Sequence, residues 1–271
     1  MAQFAPVASL TVQQILHERG LLGSYHLLIA PKVLADKVAY GLWYHNWHRP
    51  PDSHVIMDNG VIETGDPGNS VDLIAAAITV NANAVMLPDL PGDAEGTLQA
   101  ALPVAEDLLK AHIKPTPILQ GVTLKETEAC ARSFAKHLPS FKGFGVPRSF
   151  VENMDSRAKI VEYLLKRFPD QPVHLLGLSN NLADDLYVAN NYENVMGLDS
   201  AIPIHMNELI SQEGWVGKRP KRPHDYWKWT SLRTAYGQAN VRRIKGWLRG
   251  ANYVRTERED LLALMETQKA E

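Results

Sequence analysis

Three aspartates follow short apolar runs in this sequence, and their placement suits chemistry at one site. Asp58 ends the run Val55–Asp58, Asp89 follows Ala84–Pro88, and Asp199 ends Val195–Asp199. Two carboxylates at one site suit displacement at a sugar anomeric carbon, because one attacks or stabilises that carbon while the other transfers protons. A third acid beside a carboxamide offers acceptors and a donor to a purine edge. Gln120, at the end of another apolar run, supplies that carboxamide.

A simpler interpretation is that each aspartate caps the helix after its strand, which is a strong local preference. Asp89 is the most open to this interpretation, although Asp93 is the better cap candidate. Glycines near these positions would let a flat ligand approach the backbone closely.

Strand-length apolar runs alternate with helical patterns from about residue 25 to residue 200. The predicted strands are Tyr25–Ala30, Val55–Asp58, Ala84–Pro88, Thr116–Gln120, Gly143–Val146, Val173–Gly177 and Val195–Asp199. The predicted helices between them are Val33–Tyr44, Ser70–Val80, Ala94–His112, Leu124–His137, Ser156–Phe168 and Leu182–Asn191. Apolar strands separated by helices predict a parallel sheet covered on both faces.

The spacing of these units and the length of 271 residues predict an α/β fold, a (β/α)8 TIM-like barrel in one domain, with an eighth strand after residue 213. We expect residues 1–212 to form the catalytic core and residues 213–271 to complete the barrel and contact nucleic acid. No Gly-x-Gly-x-x-Gly turn follows the first predicted strand, where Ala30-Pro31-Lys32 stands, so a dinucleotide-binding domain is not expected. Chemistry in such barrels gathers at the carboxyl ends of the strands, which we call the strand-end rim.

A basic segment between residues 218 and 255 contains a single acid, Asp225, and is interleaved with tyrosines and tryptophans. Clustered cations with aromatics are typical of phosphate contact and base stacking, although an ordinary solvated basic face would look the same. The cations expected to bind nucleic acid are Lys218, Arg219, Lys221, Arg222, Lys228, Arg233, Arg242, Arg243 and Lys245.

The cysteine and histidine content and the lack of long apolar runs indicate what kinds of site and location to expect. Cys130 is the single cysteine, so no internal disulfide and no multi-cysteine metal site is expected. The sequence shows neither a signal-peptide pattern nor a membrane-length apolar run, and a cytoplasmic protein with no membrane partner is expected. His45, His48 and His54 are the nearest approach to a ligand cluster, but no metal and no cofactor is expected.

The strand-end motifs, in their order along the chain, resemble those of the tRNA-guanine transglycosylase superfamily and its DNA-modifying relatives. The family's Asp-Ser-Gly-Gly is similar to Asp58-Asn59-Gly60, its strand-ending Asp to Asp89, and its Val-Gln-Gly to Leu119-Gln120-Gly121. The family's Gly-rich strand end is similar to Gly143–Val146, and its Leu-Met-Gly to Leu175-Leu176-Gly177. Its Phe-Asp-Cys-x-x-Pro is similar to Leu198–Pro203. The resemblance runs from about residue 58 to residue 204.

The resemblance implies a role for each matching residue. Asp199 would be the nucleophile that expels guanine and holds a covalent glycosyl intermediate, and Asp58 would be the general acid/base. The implied substrate-binding residues are Asp89, Gln120, Gly145, Leu176, Gly177 and Asn59. A free 7-deazaguanine such as preQ0 would then replace guanine in a nucleic acid.

Departures from the family pattern concern the polymer that is modified. The chain cannot build the family's three-cysteine zinc site, it is short, and Ile62 stands where the family has a base-stacking aromatic residue. These departures favour a compact enzyme acting on DNA, of the kind a phage encodes, in which case it would work in the host cytoplasm. A zinc-less tRNA enzyme, a glycoside or nucleoside hydrolase, and an inactive nucleic-acid-binding subunit stay as alternatives, and the oligomeric state is left open.

Overall fold

The structure is a computed structural model that describes residues 1–47, 53–66, 68–150, 156–206, 210 and 235–249. In these residues, short strands alternate with helices. The strands are β1 (Gln3–Pro6), β2 (Tyr25–Ile29), β3 (His54–Asp58), β4 (Ala84–Met86), β5 (Pro115–Thr116), β6 (Phe144–Pro147), β7 (Val173–Leu176) and β8 (Val195–Ser200).

Helices follow almost every strand. They are α1 (Leu10–Glu18), α2 (Ala30–Ala35), α3 (Lys37–Leu42), a π-helical turn (Trp43–Trp47), α4 (Val61–Thr64), α5 (Ser70–Val80), α6 (Ala94–Lys110), α7 (Leu124–His137), α8 (Ala158–Arg167), α9 (Leu182–Asn191), α10 (Ile202–His205) and α11 (Ala235–Trp247). The α/β class with parallel sheets is therefore confirmed.

The strands form two parallel sheets of four, ordered β1-β8-β7-β6 and β2-β3-β4-β5. The edge strands of the two sheets approach each other on both sides. Ile118, just beyond β5, forms a parallel bridge with Gly145 of β6, and the Ser24 hydroxyl bonds the Gln3 carboxamide oxygen at 3.2 Å beside β1 and β2. Strands β2 and β4 are buried along their whole length, as expected for strands covered on both faces.

Polar side chains define where the longer helices begin. Asn69, Asp93 and Asn181 each accept a hydrogen bond from a backbone N–H in the first turn of α5, α6 and α9. Thr123 begins α7 with a reciprocal capping box, since Glu126 also accepts from the Thr123 N–H. Such caps satisfy N–H groups that the helix itself leaves unpaired.

Helix α11 packs against α10, which directly follows β8. A Cβ atom on Gly237 would lie 2.8 Å from the Ile204 carbonyl oxygen, so glycine permits the close approach. The Asn240 carboxamide bonds the Ile210 N–H and the Pro203 carbonyl at 2.9 and 3.2 Å. Helix α11 therefore belongs to the same core as the strands, and its Val241, Ile244 and Trp247 are buried there.

Several predicted elements differ from the structure. The strand predicted over Thr116–Gln120 is β5, Pro115–Thr116, followed by an isolated bridge at Ile118. An eighth strand is β1, at the start of the chain, whereas residues 214–234 and 250–271, most of the region predicted to contain it, lie outside the described residues. The single helix predicted over Val33–Tyr44 is divided at Asp36, whose side chain accepts from the Ala39 N–H and begins α3. In the described part of the chain, no helix is both long and apolar enough to cross a membrane.

Candidate active site at the strand-end rim

The helix-cap interpretation of the three aspartates is wrong for each of them. Helix α4 begins after Gly60, α6 begins at Asp93, and α10 begins after Ala201. The carboxylates at positions 58, 89 and 199 are thus available for other contacts. The charges of Asp199 and Asp89 both contribute to raising the pKa of Asp58.

Asp199, on β8, is held by two hydrogen bonds to one of its oxygens. His174 Nε2 lies 2.9 Å from Asp199 Oδ1, and the Gly177 N–H donates to the same oxygen at 3.0 Å. The side chain is nearly buried, with the residue 8% exposed. Among the described residues both hydrogen bonds fall on Oδ1, and Oδ2 accepts none.

Behind Asp199, a histidine and a tyrosine continue the hydrogen-bonded chain into the interior. The Tyr25 hydroxyl lies 2.5 Å from His174 Nδ1, and both residues are fully buried. Burial, followed by the charge of Asp199, raises the pKa of Tyr25 well above 10.0. The phenol therefore keeps its proton at neutral pH.

Asp58, the last residue of β3, holds its proton more tightly than an ordinary carboxyl group. Burial is the largest cause of its raised pKa, followed by the negative charges of Glu63, Asp199 and Asp89, whereas a hydrogen bond from the Gly60 backbone acts in the opposite direction. A carboxyl group whose pKa is raised by burial and neighbouring acids is suited to the role of a general acid.

Asp89 is clamped between two carboxamides. Asn59 Nδ2 donates to Asp89 Oδ1 at 3.1 Å, and Gln120 Nε2 donates to Oδ2 at 2.6 Å. Burial raises the pKa of Asp89 overall, and the two hydrogen bonds oppose that effect. The carboxamides are themselves oriented, because Gln120 Oε1 accepts from the Gly92 N–H at 3.0 Å and Asn59 Nδ2 also bonds the Leu87 carbonyl at 2.8 Å. Asp89 and Gln120 thus form one rigid polar edge, and the hydrogen bond from Asn59 holds Asp89 in position.

The three backbone positions expected to bind substrate are engaged in other ways. Gly145 donates its N–H to Pro117 and accepts from the Leu119 N–H, and a Cβ there would lie 2.9 Å from Leu176 Cδ1. The Leu176 carbonyl accepts from Arg148 and Arg157. Gly177, with φ +67°, directs its N–H at Asp199 instead of outward. These residues shape and orient the site.

A fully buried ion pair braces the strand ends beside Asp199. Arg157 pairs with Asp185 through Nε and Nη2, and both side chains are 0% exposed. Arg157 Nη1 also donates to the carbonyls of Val146 and Leu176, at the ends of β6 and β7, at 3.3 Å each. The pair thereby fixes the segment from which the Gly177 N–H points.

The predicted nucleic-acid-binding residues are described only in part. Lys218, Arg219, Lys221, Arg222, Lys228 and Arg233 lie outside the described residues. On α11, Arg242 is exposed, whereas Arg243 donates to the Ile210 carbonyl at 2.9 Å and Lys245 to the Leu21 carbonyl at 3.0 Å. Burial, followed by the charge of Arg249, lowers the pKa of Lys245. Arg243 and Lys245 therefore make intramolecular hydrogen bonds that hold α11 to the rest of the fold.

Several residues of this site are not among those singled out from the sequence. Tyr25, Glu63 and Arg157 lie within it or brace it, and each carries a polar group inside or beside an apolar segment. His174 is expected from the sequence only to pack or hydrogen-bond within the barrel wall. A histidine within a buried strand must find hydrogen-bond partners, and that requirement is a signal in the sequence. The identity of the partners depends on strands far apart along the chain.

No group of three or more histidine, cysteine, aspartate or glutamate side chains able to hold a metal ion occurs among the described residues. In comparisons with known proteins, no family model matches this chain and no curated protein is significantly similar to it.

Proposed function

We propose that the two sheets close into one eight-stranded (β/α)8 barrel. The bridge between Ile118 and Gly145 supports closure on one side, and the Ser24–Gln3 hydrogen bond supports it on the other. The contact between Tyr25 on β2 and His174 on β7 supports a shared interior. In such a barrel, the three aspartates would face one another across the strand-end rim.

The chemistry that suits this site best is exchange of a purine base on a nucleic acid. We infer that the protein replaces guanine in DNA with a free 7-deazaguanine, through a covalent Asp199–glycosyl intermediate. The observation that carries this proposal is the unequal pair of carboxyl groups: Asp199 receives two hydrogen bonds on Oδ1, while Asp58 is disposed to keep its proton.

In the first half-reaction, Asp199 Oδ2 attacks the deoxyribose C1′ atom. The bond from C1′ to guanine N9 breaks, its electron pair stays with the purine, and the proton of Asp58 passes to the departing base. This step leaves a glycosyl ester on Asp199 and a carboxylate at Asp58.

In the second half-reaction, the 7-deazaguanine gives its N9 proton to Asp58. Its N9 then forms a bond to C1′, and the ester bond to Oδ2 breaks. Asp199 becomes a carboxylate again, and Asp58 is again protonated, so that the exchange needs no net proton and no cofactor.

The rigid edge formed by Asp89 and Gln120 suits recognition of the purine. The Asp89 oxygens have lone pairs beyond those that Asn59 and Gln120 use, and they would accept from the N1–H and the exocyclic amino group of guanine. A 7-deazaguanine presents the same donors, which explains how one site would take both bases.

The choice of a nucleic acid rests on the exposed cation Arg242 on α11 and on the basic segment between residues 218 and 255. The choice of DNA over tRNA rests on the short chain and on its single cysteine, which cannot build the three-cysteine zinc site of the tRNA enzymes. Salt should weaken binding steeply if these cations contact phosphates. A paired guanine would have to be flipped out of the duplex.

The test uses DNA and tRNA labelled in guanine, incubated with preQ0 and the purified protein. The expected result is release of labelled guanine from DNA that depends on preQ0, with a denaturation-resistant protein–DNA adduct. Asp199→Asn should abolish both release and adduct. Asp93→Asn is the matched control, because asparagine retains the α6 cap and this residue lies outside the proposed machinery.

Each contrary outcome removes a definite part of the proposal. Release from tRNA alone would overturn the choice of DNA, and release from neither polymer would overturn base exchange. Cleavage of a free nucleoside without preQ0 would instead indicate a hydrolase. An adduct that survives in Asp199→Asn would show that another residue is the nucleophile.

A further inference from the structure

The arrangement behind Asp199 contains two residues that the proposed exchange does not use. His174 on β7 and Tyr25 on β2 form a continuous hydrogen-bonded chain to Asp199 on β8, with 2.5 Å from Tyr25 Oη to His174 Nδ1 and 2.9 Å from His174 Nε2 to Asp199 Oδ1. Tyr25 is 0% and His174 1% exposed. The chain joins strands of both sheets and is shielded from water.

We propose that His174 is a positioning residue for the nucleophile, held by Tyr25 in the tautomer that carries its proton on Nε2. The positioning role rests on the proposed function, whereas the tautomer of His174 does not depend on it. In that state His174 donates to Asp199 Oδ1, turns Oδ2 toward the ligand and leaves the carboxylate its charge.

The tautomer follows from what each ring nitrogen faces. Nε2 faces Asp199 Oδ1, which already accepts from the Gly177 N–H, so a proton on Nε2 supplies the donor of that contact. Nδ1 faces the Tyr25 hydroxyl, and burial together with the charge of Asp199 raises the pKa of that phenol, which keeps its proton available for donation. An imidazolium would take the hydroxyl as acceptor. The phenolic proton would then lack an acceptor among the described residues.

Packing holds the two rings in this geometry. Tyr25 stacks on His54 with ring centroids 5.8 Å apart and an angle of 8° between planes. Gly197 on β8 gives the Tyr25 ring its space, because a Cβ at that position would lie 2.5 Å from Tyr25 Cε1. Since Gly197 is also the register partner of His174, the absent side chain lets the tyrosine reach the histidine.

The kinetic test compares His174→Phe, which removes the donor, with His174→Gln, which can place an amide N–H near the position of Nε2. If His174 orients Asp199, His174→Phe should lower kcat for exchange by about 10²-fold, the scale of a misplaced reacting group. The KM for the free base should be nearly unchanged, because Asp89 and Gln120 are untouched. His174→Gln should restore most of the rate. His137→Gln is the matched control on the surface of α7.

A second measurement needs no activity. The ¹⁵N resonances of the His174 ring, assigned by their loss in His174→Gln, should show a protonated Nε2 and an unprotonated, hydrogen-bonded Nδ1. Tyr25→Phe should shift the Nδ1 resonance, whereas Tyr163→Phe, at a tyrosine that bonds Arg132 at the surface, should leave it unchanged.

The outcomes separate the inference from the proposed function. Exchange by the wild-type protein with an unchanged kcat in His174→Phe would overturn the positioning role and leave base exchange standing. Equal loss in His174→Phe and His174→Gln, accompanied by equal loss of folding stability, would reduce His174 to a packing residue. Absence of exchange in the wild type would overturn base exchange. A proton on Nδ1 in the wild type would overturn the tautomer assignment whether or not exchange occurs.

Discussion

Replacing Asp185 by asparagine tests whether the buried ion pair braces the site. The change removes the charge that balances Arg157, while the guanidinium stays 0% exposed and keeps Nη1 bonds to the Val146 and Leu176 carbonyls. Leaving one member of a buried pair uncompensated costs about 3–5 kcal/mol. For a domain whose unfolding free energy is of order 5–15 kcal/mol, that loss is a large fraction.

Urea unfolding followed by circular dichroism measures this loss as a lower midpoint with an unchanged slope. Glu162→Gln is the matched control, because it removes the negative charge from the 2.6 Å ion pair between Glu162, 49% exposed, and Lys166, 73% exposed. No measurable loss is expected there.

The physical cause is separated by a double variant. Arg157→Met with Asp185→Leu removes both charges, so its loss should be much smaller than the sum of the two single losses. Additive losses, or a loss below about 1 kcal/mol in Asp185→Asn, would refute the view that an uncompensated buried charge is responsible.

Three further predictions concern single positions. Since the raised pKa of Asp58 means that the folded state holds this proton more tightly, ionisation destabilises the fold as pH rises above the ordinary value of 3.8. Asp58→Asn should therefore increase the unfolding free energy more at pH 7 than at pH 4 while abolishing exchange, and an equal change at both pH values would contradict this. Gly143→Ala should lower the unfolding free energy by more than about 3 kcal/mol, because φ is +75° and the new Cβ would lie 2.1 Å from the Pro172 carbonyl oxygen. Gly20→Ala, with φ +67° but open space around the Cβ, should lower it by roughly 1–2 kcal/mol. Thermal unfolding measures both losses. Thr123→Ala should lose about 1 kcal/mol in the same measurement, while Thr123→Ser should lose little, and equal losses would exclude the cap as the cause.

Local patterns in the sequence determined much of the fold. The helices Ser70–Val80, Leu124–His137 and Leu182–Asn191 have the bounds that their apolar spacing and polar caps predict. The buried parallel strands follow from uninterrupted apolar runs. The first strand was missed because Gln3–Pro6 is too short to stand out, and its identity depends on pairing with β8 near the other end of the fold.

The sequence by itself also predicted Asp58, Asp89 and Asp199 as candidate site residues, since a carboxylate near the end of a buried strand is a local feature. Only the tertiary structure decided their states. The raised pKa of Asp58 depends on burial and on Glu63, Asp199 and Asp89, and Asp199 is oriented by His174 and Gly177 from the neighbouring strand. Hydrogen bonds and charge interactions act over a few ångströms in space, whereas the partners lie far apart in sequence, so no local pattern reveals them.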